Sequence, residues 1–179
     1  LEEMKFMDGL KVWEYSTTDE YVRCTGRQPL GLRWVLVNKG DANCPEVRAR
    51  LVAQDFKSRS AIEAQDVAAT FAATPPLEAI KAIISQAATA NDRGRKVLSV
   101  LDVRRAYFYA PSKRDVYVEL PPEDWRPGDE RMCGKLRVSL YGTRDAAANF
   151  QHEVKRLMAN YGWLMSIKMV QHYLVLIVN

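Results

Sequence analysis

At 179 residues the chain can bury one substantial core, or one domain with a small appendage, but hardly two independent domains. Its 47% hydrophobic and 27% charged residues are those of a globular protein and exclude a disordered one. Residues 1–20 set two lysines against six acids, so the net charge of +4 hides a body, residues 21–179, that is more basic than the whole. That bias suits a polyanion, since cations that neutralise phosphates release condensed counterions, though a solvated basic face accounts for it as well.

Cys24, Cys44 and Cys133 include no C-x2-C pair, and His152 and His172 are the two histidines, so neither a zinc site nor a disulfide framework is indicated. No run of about 18 apolar residues and no basic-then-apolar leader pattern is present. The expected setting is therefore intracellular, cytoplasmic or nuclear, not secreted and without a membrane partner. A first residue that is Leu and a closing apolar run at Leu174-Val175-Leu176-Ile177-Val178 read as cuts in a longer product.

Met4, Phe6, Met7 and Leu10 among acids predict a short amphipathic helix, followed by an extended stretch near Val12 and Trp13. Leu32–Asn38 and Val47–Gln54 read as two strands of a hairpin turned by Lys39-Gly40-Asp41-Ala42-Asn43. Between residues 21 and 60 eight cations, Arg48 and Arg50 among them, face three acids. Thr74-Pro75-Pro76-Leu77-Glu78 starts a helix with a hydroxyl cap, a first-turn proline and an acid near the positive dipole end. Leu77, Ile80, Ile84 and Ala87 give it a stripe to bury.

Val97–Leu101 is a short apolar strand that delivers Asp102, and Asp115–Leu120 alternates as a strand stopped by Pro121-Pro122. A loop to Gly134 and a strand over Leu136–Leu140 follow. Asp145 caps a helix with Phe150, Val154, Leu157 and Tyr161 on one face and Gly162 as its stop. Tyr173–Val178 reads as a strand left as an apolar sheet edge. The order of elements is α+β and lacks βαβ alternation, and no phosphate-binding Gly-x4-Gly-Lys-Ser/Thr, Gly-x-Gly-x2-Gly or Gly-x-Ser-x-Gly occurs.

Five landmarks in order carry a resemblance. Arg33-Trp34-Val35 with Arg48-Ala49-Arg50-Leu51-Val52-Ala53 comes first, then Thr70-Phe71-Ala72 with Thr74–Glu78. Leu101-Asp102-Val103 with Ala106-Tyr107-Phe108 follows, then Val116–Pro122, then Leu140-Tyr141-Gly142. Together they resemble the reverse transcriptase, an RNA-directed DNA polymerase, of Ty1/copia-type retrotransposons. The wording of Asn38–Asp41 and Tyr141–Ala146 is especially similar to copia-type sequences of dinoflagellate genomes.

The resemblance implies right-hand polymerase fingers and a partial palm, an antiparallel sheet with packed helices and no thumb. It divides the chain into a lead-in (1–30), a fingers-like part (31–96) and an incomplete palm-like part (97–179). It implies, for the intact family, nucleotidyl transfer with two Mg2+ or Mn2+ ions roughly 3.5 to 4 Å apart, which this chain alone is not expected to bind tightly, acting on a dNTP and an RNA or DNA primer-template within a larger polyprotein.

By resemblance Asp102 is one of three metal-binding aspartates, and the Val103 carbonyl helps hold the triphosphate-side metal. Tyr107 lies beneath the incoming sugar, where a ring excludes a 2′-hydroxyl. Arg48 and Arg50, two apart on one strand face, meet the triphosphate, with the contacting one undecided. Lys39, Arg144 and Asp145 fall at nucleic-acid-binding positions. Each has a plainer reading: a turn-capping aspartate, a core aromatic, a solvated basic face.

The chain also departs from the family. Thr143-Arg144-Asp145-Ala146-Ala147-Ala148-Asn149-Phe150 replaces Leu-Lys-Gln-Ala-Pro-Arg-Ala-Trp, so an anion stands where a glutamine touches nucleotide and template. The Tyr-x-Asp-Asp hairpin with the other two aspartates is expected at or just beyond Asn179, and neither Asp115 nor Glu153 can replace it. The expectation is a polymerase fragment inactive alone. The alternatives are a non-catalytic nucleic-acid-binding remnant or a decayed retroelement sequence.

Overall fold

The structure, a computed structural model, describes residues 2–55, 77–89, 97–160, 168–170 and 173–178. Helices and small antiparallel sheets make up the fold, which is α+β. Of the helix start expected at Thr74-Pro75-Pro76-Leu77-Glu78, residues 74–76 lie outside the described residues, as do the landmark Thr70-Phe71-Ala72, Tyr161 and Gly162.

Helix α1 (Glu2–Leu10) buries Met7 and half-buries Met4 and Phe6, with Glu2 and Glu3 in the first turn where the dipole favours anions. It ends in a left-handed turn. Lys11 takes φ 50°, its amide donates to the Asp8 carbonyl at 3.0 Å, and the Val12 amide donates to that of Met7 at 3.2 Å.

Strand β1 (Trp13–Thr17) follows, then helix α2 (Thr18–Thr25), which has no buried residue and closes on Gly26 at φ 65°. The sequence reading contains no helix here because no apolar stripe marks one. Neighbours hold it instead: the Thr18 amide donates to the Arg131 carbonyl at 2.7 Å, and Tyr21 stacks on Tyr117 with ring centres 4.2 Å apart.

The hairpin forms where two strand-like runs flank the turn at residues 39–43. Strand β2 (Leu32–Asn38) pairs with β3 (Val47–Ala53) from Leu32↔Ala53 to Asn38↔Val47. Its turn is stapled by side chains. Asn38 Oδ1 accepts the amides of Gly40 and Glu46, and Asp41 Oδ1 those of Asn43 and Cys44. Directly paired residues share a face, so Arg33, Arg48 and Arg50 lie on one side and Trp34, Leu51 and Ala53 on the other. Leu51 and Ala53 are buried at the base, which roots the hairpin in the main core with Val118, Leu140 and Phe108.

Helix α3 (Leu77–Ala88) has the expected periodicity, yet Leu77 and Ile84 are 59% and 48% exposed, so the described residues do not bury its stripe. Strand β4 (Val97–Asp102) leads into a 3-10 turn at Ala106–Tyr109.

Strand β5 (Tyr117–Glu119) and β6 (Met132–Leu136) join β1 in the order β1-β6-β5. The strand expected over Leu136–Leu140 thus ends where it was to begin. The reason is Gly134, which reads as a loop residue but faces the Trp13 ring across the sheet. A Cβ there would lie 2.7 Å from Trp13 Cγ.

Helix α4 (Ala146–Asn160) buries Phe150 and Val154 against the 3-10 turn, and its seam continues to Met158 rather than Leu157, which is 42% exposed. Strands β7 (Lys168–Val170) and β8 (Tyr173–Val178) complete the third sheet in the order β4-β8-β7. This corrects the expectation for Tyr173–Val178. The strand lies between two others in its sheet: Lys168–Val170 folds back on Tyr173–Val175, while β4 pairs along the whole strand on the other side. No helix among the described residues is long and apolar enough to cross a membrane.

Candidate functional site

Asp102 ends β4 with an exposed carboxylate, opposite Tyr173. Val103 is half-buried against the small cluster of Ala106, Ala110, Phe150 and Val154. The chain then turns through Arg105, which has φ 53°, into the 3-10 turn at Ala106–Tyr109 that carries Tyr107. Tyr107 is half-buried, with its ring centre 5.1 Å from that of Tyr141 and 6.4 Å from that of Phe150. Burial pushes the Tyr107 phenol up, against the pull of Arg50.

The strand β3 cations reach the same neighbourhood. The Arg50 guanidinium lies over the Tyr141 ring, 5.3 Å from its centre, and its buried Nε has no hydrogen-bond partner among the described residues. Burial also raises the Tyr141 phenol, and Arg50 and Arg48 both draw it back down. Arg50, Tyr107 and Tyr141 are therefore neighbours, and Arg48 shares the strand face of Arg50. Lys39 stands apart, exposed beyond the last hairpin pair, with its amide donating to Glu46 O at 2.8 Å.

Arg144 and Asp145 are placed differently. Arg144 donates its amide to Asp55 Oδ2 at 3.1 Å, and its Nε lies 3.2 Å from Asp55 Oδ1 without the alignment of a hydrogen bond. Asp145 is 4% exposed, and its carboxylate faces inward. It accepts from Arg114 Nη2 at 2.8 Å and from Asn149 Nδ2 at 2.9 Å, while the same Arg114 nitrogen reaches Asp55 Oδ2 at 2.7 Å. Burial raises the Asp145 carboxyl; the Arg114 and Asn149 hydrogen bonds reverse that and hold it below the ordinary carboxylate range.

The sequence reading missed Asp55, Arg114 and Asn149. Lys113-Arg114-Asp115 looks like a solvated charge run, and nothing along the chain signals that residues 55, 114 and 145 converge. Asp115 and Glu153 are occupied elsewhere, the first 2.7 Å from Lys135 Nζ and the second 2.6 Å from Arg156 Nη2.

Asp102 and the Val103 carbonyl are oxygen donors of the hard kind Mg2+ takes. Among the described residues, however, no group of three or more His, Cys, Asp or Glu side chains could hold a metal ion. One carboxylate does not make a two-metal centre. The strand register adds a constraint. Strand β8 runs antiparallel to β4 with Tyr173 opposite Asp102 and Val178 opposite Val97, so Val178 lies roughly 17 Å along the strand from the carboxylate at about 3.4 Å per residue.

Residues 15–173 match the family model described as reverse transcriptase (RNA-dependent DNA polymerase). The chain is similar to the retrovirus-related Pol polyprotein from transposon TNT 1-94 of Nicotiana tabacum, 28% identical over 141 residues, covering 78% of this chain and 10% of that protein. It is similar too to the Pol polyproteins from transposons RE1 and RE2 of Arabidopsis thaliana, each 27% identical over 77% of this chain and 9% of theirs. The chain thus spans about a tenth of the length of these relatives. With the matched stretch running from β1 into β8 and holding Arg48, Arg50, Asp102, Tyr107 and Tyr141, the chain belongs to the reverse transcriptase (RNA-dependent DNA polymerase) family, in its Ty1/copia branch.

Proposed function

We propose that this chain is the fingers and first palm part of an RNA-directed DNA polymerase within a transposon Pol polyprotein, and that it does not transfer nucleotides by itself. The observation that carries the reading is Asp102, an exposed carboxylate at the end of a paired strand, five residues before a ring that neighbours the β3 cations.

In this reading Asp102 and the Val103 carbonyl bind Mg2+ or Mn2+, with two further carboxylates needed to complete the centre. Arg48 and Arg50 meet the triphosphate of a dNTP, and Tyr107 lies under its sugar. Arg50 is the better anchored cation, because the Tyr141 ring fixes its guanidinium. Lys39 is free to meet the nucleic-acid backbone from the hairpin turn. Arg144 and Asp145 serve the primer-template indirectly, through the Asp55–Arg114 ion-pair network that joins β3 to α4. The setting is intracellular, cytoplasmic or nuclear.

A second reading, a non-catalytic nucleic-acid-binding module, is favoured by the single face shared by Arg33, Arg48 and Arg50. Both readings expect binding to a primer-template that weakens with salt, and a shallower salt dependence when Arg48 and Arg50 become Ala, by about one unit of log-log slope for each phosphate no longer neutralised. Fluorescence anisotropy against salt tests this. Binding that ignores salt, or that survives both substitutions unchanged, rejects the role of the β3 cations.

A further inference from the structure

Arg105 is a non-glycine residue at φ 53°, a conformation that L side chains adopt only when their surroundings impose it. It sits three residues after Asp102 and two before Tyr107, so its backbone sets the relative direction of the two. Its side chain is held by helix α1. Arg105 Nε donates to Glu3 Oε2 at 2.8 Å, its Nη2 to Glu2 Oε1 at 3.3 Å, and its guanidinium lies 4.2 Å from the centre of the Phe6 ring. Phe6 also packs against Phe108, ring centres 5.8 Å apart, on the far side of the same turn.

Glu2 is exposed, whereas Glu3 is 6% exposed and thus a buried carboxylate matched by one guanidinium. Such a charge holds its partner in place, since losing the partner leaves it buried and uncompensated. Helix α1 precedes the stretch that matches the family model, which begins at residue 15. The turn after Asp102 is therefore held from a part of the chain that the family match does not include.

We propose that helix α1 is a brace for the Asp102–Tyr107 turn, with Glu3 and Arg105 as positioning residues that aim the Asp102 carboxylate and the Tyr107 ring. Their relevance to nucleotide transfer rests on the function proposed above; the brace itself does not. Without Glu3 the Arg105 backbone relaxes toward negative φ, and the 3-10 turn that begins at Ala106 opens. A glycine at 105 holds positive φ without a partner.

The test is amide hydrogen exchange on residues 1–179, with 3-fluorotyrosine placed at position 107 as a second readout. Glu3→Gln and Glu3→Ala should speed exchange of the Phe108 and Ala110 amides at least tenfold and shift the fluorine signal. The β2–β3 hairpin amides should keep their rates. Adding Arg105→Gly to Glu3→Ala should restore most of the protection, whereas Arg105→Ala alone should lose it.

Unchanged exchange at Phe108 and Ala110, equal acceleration throughout the chain, or no rescue by Arg105→Gly would overturn the brace. Line broadening of the fluorine signal by Mn2+ tests the other reading separately. One carboxylate of three holds the ion only weakly, so the readout is broadening at high Mn2+: broadening that Asp102→Asn leaves unchanged overturns the metal-binding role, while the brace is decided by exchange alone.

Discussion

The guanidinium of Arg50 lies over the ring of Tyr141, and three residues later on the same strand the Ala53 amide donates to the Tyr141 carbonyl at 2.7 Å. Strand β3 and the Leu140-Tyr141-Gly142 turn are thereby one mechanical unit, which joins the cationic hairpin to the segment around Asp102. Gly142 makes the approach possible. It has φ 86°, and a Cβ there would run into the Ala53 carbonyl oxygen. Gly142→Ala should therefore destabilise the chain by about 1–3 kcal/mol, read as a lower urea midpoint at unchanged slope. An unchanged midpoint would show that the turn does not need glycine.

The network around Arg114 should behave as a buried one. Arg114 is itself 33% exposed, but its partners Asp55 and Asp145 are 7% and 6% exposed at the side chain, and removing it leaves Asp145 to Asn149 and Asp55 to Arg144. Arg114→Ala is expected to lower stability by about 3 kcal/mol. Asp115→Ala, which breaks only the solvent-facing pair with Lys135, should cost under about 1 kcal/mol. Chemical denaturation of the two variants compares them directly, and equal losses would contradict the difference in burial.

Asp145 makes that network pH-dependent. Its folded carboxyl is held below the ordinary range, so its contribution is fully present above the unfolded value of about 3.9 and is lost as pH falls through the lower folded value. Stability should drop in acid, and Asp145→Asn should flatten the drop below pH about 4. Melting temperatures across that window decide it: an identical acid slope in the variant would remove Asp145 from the account.

The β4–β8 register can be trapped chemically. Leu98 and Ile177 are opposite each other, so cysteines at these two positions should oxidise to a disulfide. Cysteines at 102 and 177 should not, being about 14 Å apart along the strand at 3.4 Å per residue. Cross-linking of the second pair, or failure of the first, would show that β8 pairs differently.

How much of this was legible in the sequence depended on whether the signal was local. The hairpin was legible because two short strand-like runs flank a turn of Gly, Asp and Asn, and α1 because its apolar residues recur at helical spacing. Strand β6 was not, since Gly134 is selected by a tryptophan more than a hundred residues away. Helix α2 has no buried face to announce it. The placing of Tyr173–Val178 between two strands depended on which partners it met, a property that its own composition does not carry.

For the site, Asp102, Tyr107 and the β3 cations stood out through an ordered set of landmarks. The inward turn of Asp145 did not, because Arg114 reaches it from a distant position and joins it to Asp55. The hold of Glu3 on Arg105 was equally silent, since it spans 102 residues and depends on one positive φ.

Primer extension by purified residues 1–179, with Mg2+ and then Mn2+ on a primed RNA template, tests the central claim most directly. On the role proposed for Asp102, one carboxylate of a three-carboxylate centre, incorporation should not exceed that of the Asp102→Asn chain. Robust incorporation that Asp102→Asn abolishes would contradict it.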